Sequence, residues 1–245
     1  MKTRRTFFGM MLLTAVMLCA AGCTKPDDEN NDNNDGGGNS GGGSQITYEY
    51  VDLGLPSGIL WATSNVGAAS PEEYGNYFAW GEIQPKDYYS WGNYKYCEGS
   101  DTTLIKYCSD SSYGYNGFTD NLIVLEAGDD AATVHCGEGW RTPTKEEWEE
   151  LINNCTQTWT KRNGVNGRLF AAPNGNSVFL PVHFDGDGSS YDGTYGLYWT
   201  SLLRTERPDG AWYFSFDSDG YDLMPYLGWR SRGLSVRPVR SSSKQ

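Results

Sequence analysis

The segment Gly139–Cys155, "GWRTPTKEEWEELINNC", carries the clearest local signal in the chain. Thr144 precedes Glu147 by three residues, the spacing of a capping box, and Pro143 lies just outside it. Trp148, Leu151, Ile152 and Cys155 then fall at i, i+3, i+4 and i+7, one apolar face of a helix. Glu146, Glu149 and Glu150 lie largely on the wet side. On a capped amphipathic helix such carboxylates serve solvation and the dipole far more often than acid–base catalysis.

Outward from this helix the pattern changes to short strands. Upstream, "TYEYVDLGLPSGILWATSNVG" reads as two apolar runs around Pro56-Ser57-Gly58, a hairpin with turn chemistry at its tip. "GNYFAWGE" is a further short aromatic strand. From Gln84 to about Gly128 the chain is rich in Tyr, Ser, Asp and Gly with little period, and reads as a long, folded, loop-rich excursion. Its tyrosines can bury their rings while the hydroxyls find partners. Downstream, "GRLFAA" and "SVFLPVHF" are joined through Pro173-Asn174-Gly175-Asn176, a hairpin signal. "GLYWTSLL", "GAWYFSF" and "LSVRPV" supply three more strands. One well-marked helix among many short strands and long loops gives an α+β fold class.

The N-terminal residues, "MKTRRTFFGMMLLTAVMLCAAGC", have a basic start, an apolar stretch too short and wrongly flanked for a spanning helix, and small residues before Cys23. Ala20-Ala21-Gly22-Cys23 resembles the bacterial lipobox, which makes residues 1–22 a lipoprotein signal peptide and Cys23 the lipidated residue. An ordinary cleaved secretory signal is the alternative. Arg4-Arg5 also resembles a twin-arginine export motif, although simple positive charge explains it as well. Residues 23–45 are acidic and Gly/Asn-rich, with nothing apolar to bury, and read as a flexible tether. Asp27-Asp28-Glu29 behind Lys25 resembles the signal that exports Bacteroidota lipoproteins to the cell surface. The expected location is therefore the outer membrane, lipid-anchored and facing outward. Residues 46–240 suit one domain, and 241–245 a disordered tail.

Removing the three basic residues of the leader takes the net charge from −12 to −15. That excludes general nucleic-acid binding, which needs a basic footprint. Residues 199–245 run against this trend with seven Lys/Arg and five Asp/Glu, a mildly basic face or chance scatter. In an exported chain Cys97, Cys108, Cys136 and Cys155 point to two disulfides, with three connectivities allowed. The favoured pairs are Cys97–Cys108, closing a short loop, and Cys136–Cys155, with buried free thiols the alternative for the second. No CxxC pair supports zinc.

These segments together resemble the Fibrobacter succinogenes major paralogous domain family. The residues that carry the likeness are "VDLGLPSGILWATSNVGA", "EEYGNYFAWGE", "DDAATVHCGEGWRTPTKEEWEELINNC", "NGNSVFLP", "LYWTS" and "SVRPV". The resemblance covers nearly the whole mature domain. It implies a C-type-lectin-like fold of the formylglycine-generating-enzyme type, with the two ends brought together and a long loop region displaying side chains. The late cysteine pair that holds copper in those enzymes has no counterpart here, because no cysteine follows Cys155. His135 beside Cys136 reads as structural, and no GxSxG, HExxH or P-loop pattern occurs. The expectation is a protein that is not an enzyme and uses no cofactor. "DGDG" (185–188) and "DSDGYD" (217–222) have calcium-like oxygen spacing but do not match an EF-hand loop, and Asp/Gly turns explain both. No metal ligand is therefore assigned.

One stretch resists this patterning: Tyr221–Gly233, "YDLMPYLGWRSRG". In the preceding run, alternation puts Trp212, Phe214 and Phe216 on a core face and Tyr213, Ser215 and Asp217 on the other, wet or ligand-facing side. With Tyr221, Met224, Tyr226, Trp229, Arg230 and Ser231, and with Arg204 and Arg207 on the preceding loop, these residues have the composition of an adaptable recognition surface. The expectation is a ligand-binding surface over residues 204–231 for a protein or glycan, with membrane contact through the lipid anchor alone. Some lectin-like proteins of the resembled type are variable targets of diversity-generating retroelements, so the resemblance also raises a diversified surface here. The competing reading is a structural component of the envelope or of a surface assembly with no dedicated ligand.

Overall fold

Apolar runs on either side of Pro56-Ser57-Gly58 form the first hairpin, β1 (Tyr50–Asp52) and β2 (Ile59–Ala62), antiparallel with Val51 opposite Trp61. The computed structural model describes residues 48–182, 193–224 and 228–242. After β3 (Tyr77–Phe78) the chain makes the Tyr-rich excursion, then α1 (Ala131–Cys136), β4 (Trp140–Arg141) and α2 (Lys145–Asn154). The meander β5 (Thr156–Arg162), β6 (Val165–Ala171) and β7 (Ser177–Pro181) follows. Then come β8 (Gly196–Leu203), β9 (Ala211–Phe216), β10 (Tyr221–Met224), β11 (Leu234–Ser235) and β12 (Val239–Ser241). With two α-helices among many short strands the fold is α+β and mostly β. Among the described residues no helix is long and apolar enough to cross a membrane.

The strands make three sheets, ordered β1-β2-β12-β4, β10-β9-β8-β11-β3 and β5-β6-β7. The run "LSVRPV", expected as one strand, is divided between two of them. Leu234–Ser235 lies parallel to β8, and beyond Pro238 the chain joins β2 and β4 in the other sheet. Proline has no amide hydrogen to donate to a ladder, and the break falls there. The pairing of β12 with β2 brings the two ends of the described domain together.

The five-stranded sheet is a middle layer with a core on each face. Alternation along β8 and β9 sends Leu197, Trp199, Leu203, Ala211 and Tyr213 to one core, which the Tyr-rich excursion completes. Tyr198, Phe214 and Phe216 face a second core, built with α2, β2, β6 and β7. The capping box of α2 forms as the sequence predicts, and its apolar face buries Trp148 and Leu151. Trp148 stacks on Phe214 at 4.8 Å and meets Trp61 edge-on at 4.7 Å. The helix carboxylates are structural: Glu147 holds Arg141, Glu149 holds Lys145, and Glu150 accepts from the amide and hydroxyl of Ser57.

Two arginines staple the layers from inside. Arg237 is fully buried. It donates to Asn65 Oδ1 (2.9 Å), Ala62 O (3.0 Å), Thr63 O (2.7 Å) and Phe179 O (3.0 Å), tying β2 to β7. Burial lowers its pKa to about 10, so it stays charged at neutral pH. The second, Arg230, fastens the excursion from within. Both lie in the C-terminal segment whose excess of cations reads from sequence as a mildly basic face or chance scatter, and part of that excess is interior.

Several sequence expectations are corrected. The cysteines form no disulfide; all four are free thiols. Cys97 bridges to Leu104 rather than reaching Cys108, and its thiol donates to Trp91 O, whereas that of Cys108 donates to Asp110 O (3.1 Å). Cys155 belongs to the second core, while Cys136 packs against the first, beside Tyr48. Burial pushes the Cys136 thiol up to about 12 and raises the other three, which leaves all four protonated and unreactive at neutral pH. His135 and Cys136 end the short helix α1. Strand β5 was not expected, although Asn163-Gly164 (φ 48° and 87°) is the Asn-Gly hairpin turn that announces it. Strand β10 occupies the start of the stretch that lacks a visible period.

Candidate functional site

Two described parts of the irregular stretch, Tyr221–Met224 and Gly228–Trp229, lie along one sheet edge. Tyr221–Met224 pairs with Phe216–Tyr213 in antiparallel register, residue for residue. Farther along, the amide of Ala211 donates to Gly228 O (2.9 Å), and Trp229 bridges to Gly210. On β9 a single residue, Trp212, separates these two pairings, whereas residues 225–227 separate them on the other chain. That mismatch in residue count leaves the stretch without a single strand period. At Gly228 an added Cβ would stand 2.5 Å from Ala211 O, so only glycine lets the chain come this close.

The residues expected to form one wet surface have three fates. Tyr213, Arg230 and Ser231 are interior. Tyr213 faces the first core and meets Trp199 edge-on at 6.3 Å, because both faces of the sheet are covered. Arg230 is 0% exposed. Its guanidinium donates to Tyr107 O (2.6 Å) and Lys106 O (3.1 Å) and sits 5.2 Å from the ring of Tyr94 and 5.7 Å from that of Trp80. It fastens the Tyr-rich excursion to the sheet, a staple rather than a displayed cation.

A second group lies around the loop joining β8 to β9. Arg207 is exposed but held bidentately by buried Asp209 (3.2 and 2.8 Å), with its guanidinium 5.9 Å from the Tyr113 ring. Arg204 is half-buried. Ser109 donates to Thr205 O (2.8 Å), so the excursion reaches this loop. Trp229, whose backbone joins the same loop at Gly210, is 47% exposed.

The third group lies at the β9–β10 hairpin. Ser215 is half-buried opposite Asp222, and Tyr221 is 47% exposed. The carboxylate of Asp217 accepts from the amides of Asp219 and Gly220, both at 2.8 Å, so it shapes the turn rather than facing a ligand. Arg168 braces the turn from β6, donating to Asp217 O (2.7 Å) and Gly220 O (2.9 Å) beneath the Tyr221 ring at 5.5 Å. Of the remaining expected residues, Met224 lies opposite Tyr213 in register, and Tyr226 lies outside the described residues, as do Cys23 and residues 185–188.

Two grooves flank this edge. One, of 380 Å³, is lined by Lys145, Glu149, Ile152, Asn153, Trp212 and the strand residues Tyr221–Leu223. The other, of 350 Å³, is lined by Tyr195, Ser215, Asp217, Asp219, Tyr221 and Asp222 among others. Sequence reasoning missed Tyr195, Trp212, Lys145, Glu149 and Asp222. Trp212 reads from sequence as core, Glu149 as the wet side of a helix, and Asp222, within "DSDGYD", as part of a turn. In the first groove Lys145 lies 5.2 Å over Trp212 and is paired with Glu149.

The arrangement offers rings, carboxylates and a strand edge, which are means of binding. Among the described residues no group of three or more His, Cys, Asp or Glu can hold a metal ion. His135 Nε2 is engaged with Ile83 O (2.7 Å). A third groove of 590 Å³ lies elsewhere, between Val124, Leu125, Trp140 and Ser201, and the one cation in its lining, Arg141, is held by Glu147. No protein-family model, curated protein or solved structure matches the chain.

Proposed function

We propose that this chain is a surface-anchored lipoprotein that displays a C-type-lectin-like, ligand-binding module. Cys23 carries the lipid, residues 24–45 are the tether, and a protein or glycan ligand docks along the edge from Tyr221 to Trp229. The observation that carries the reading is the exposure of two large rings, Tyr221 and Trp229, along one edge, while most other aromatic side chains of the sheet are buried. Such rings bury large area at small entropy cost and are typical anchors. If the surface is diversified, variation falls on exposed Tyr221, Asp222 and Trp229 and spares Arg230 and Ser231.

The test is a screen of the chain from residue 24 onward against glycan and surface-protein arrays, beside the variant Tyr221→Ala/Trp229→Ala. The reading expects capture by the parent and none by the equally stable variant. Capture that survives both substitutions refutes the edge as the binding face. A structural role in a surface assembly is the second reading. It is favoured by the exposure of the adjacent apolar residues Ile123 (41%) and Val124 (48%).

A further inference from the structure

We infer that the outer edge of β10 takes an extended, basic segment of a partner protein as an added strand. This rests on the recognition reading above and narrows its ligand to a polypeptide.

No described strand pairs with β10 on the side away from β9. An unpaired edge presents amide and carbonyl groups as a template for another chain, and proteins usually blunt it with Lys, Pro or very short strands. Of the other sheet edges, β1 has only three residues, and the rest are blunted in the same ways. Strand β5 ends in Lys161-Arg162, β7 ends in Pro181, and β3 and β4 have two residues each. Strand β10 contains neither Lys nor Pro.

The grooves match what an added strand would bring. By register, Trp212 and Leu223 share the face of Phe214, whereas Ser215 and Asp222 share the face of Tyr213. One groove thus opens beside each face of the edge. A strand sends alternate side chains to alternate faces, so one added segment can fill both.

Charge selects the occupant. Glu149, Asp219 and Asp222 line the two grooves, beside the turn-forming Asp217, against a single lining cation, Lys145, which Glu149 already holds. Asp222 is exposed, and its carboxylate has no hydrogen-bond or ion-pair partner among the described residues. The rings of Tyr221 and Trp229 also favour cationic side chains. A second copy of this chain, at −15 after loss of the leader, is repelled, and so is its own Asp/Glu-rich tether. A basic segment from elsewhere satisfies both the backbone edge and the carboxylates.

The test uses the chain from residue 24 onward and a fluorescein-labelled, alternating Lys/Thr octapeptide, with fluorescence polarisation as readout. Two controls accompany it: a Glu/Thr octapeptide, and the Lys/Thr peptide N-methylated at alternate backbone nitrogens. The inference expects the Lys/Thr peptide to bind and the Glu/Thr peptide not to. N-methylation should raise Kd at least about tenfold, because it removes ladder hydrogen bonds without changing charge. The exposed-site variant Asp222→Lys should weaken binding several-fold. An N-methylated peptide that binds as well as its parent, or a Lys/Thr peptide that does not bind, overturns the inference. If the arrays instead give a glycan whose capture needs Tyr221 and Trp229, the recognition reading stands and this inference alone falls.

Discussion

Trp229 and Arg230 are consecutive, yet the indole is 47% exposed and the guanidinium 0%. The first ends the sheet edge that begins at Tyr221. The second turns inward beneath Tyr107 and holds the Tyr-rich excursion. Both residue types are common at recognition surfaces, so composition alone assigns them the same role. The difference between the two regions teaches that register and long-range carbonyls decide which residue recognises and which one staples. The interior region is built from interlocked polar groups. In the excursion, Asp129 accepts from both the Tyr96 and Tyr107 hydroxyls and from Lys106 (2.6 Å), and Lys106 also reaches Glu126. The edge region has exposed rings, Tyr221 over Arg168 and Trp229, and the exposed carboxylate of Asp222.

The strongest way to break this comparison is Arg230→Met. It leaves the carbonyls of Tyr107 and Lys106 buried without a donor, and should cost about 3 kcal/mol in urea unfolding. A cost near zero would place Arg230 with the displayed residues.

The second probe is pH. Burial would raise the Asp129 carboxyl, but the hydrogen bonds from Lys106, Tyr96 and Tyr107 outweigh it and hold the group below its ordinary value. A depressed carboxylate contributes stability that is present above about pH 4 and is lost as pH falls through the folded value. On the alkaline side, burial pushes Tyr107 up to about 12. That contribution is full below about pH 10 and is lost as pH rises through the folded value. Unfolding midpoints across pH should therefore fall at both extremes, and Asp129→Asn should flatten the acid limb.

Substitutions at the edge should have smaller effects on stability. Tyr221→Ala or Trp229→Ala should change it by less than about 1 kcal/mol while abolishing ligand capture. The smallest expected effect is that of reductant. With four free thiols, dithiothreitol should leave Tm unchanged, and a drop of several degrees would restore the disulfides.

The parts of the fold legible in the sequence are those set by local chemistry. The capping box and apolar face of α2, the hairpins at Pro56-Ser57-Gly58 and Pro173–Asn176, and the alternation in β8 and β9 all depend on neighbours in the chain. Helix α1 had weaker signals: Asp130 caps it by accepting from the Ala132 amide (2.9 Å), and Gly137 ends it, but six residues carry too little period. The site was half legible. Tyr221 and Trp229 lie where an exposed surface was expected. Tyr213 was misassigned because alternation cannot show that both sheet faces are covered, and Arg230 because its acceptors lie more than a hundred residues earlier in the chain.

Amide hydrogen exchange across this edge tests the central claim most directly. In the free protein, alternate amides of β10 should exchange at rates close to those of unstructured chain, because they face away from β9 and no described strand accepts from them. The Arg230 amide, which donates to Asp209 O (3.0 Å), should be protected along with β8. If every β10 amide exchanges as slowly as those of β8, the edge is covered and cannot be the binding face.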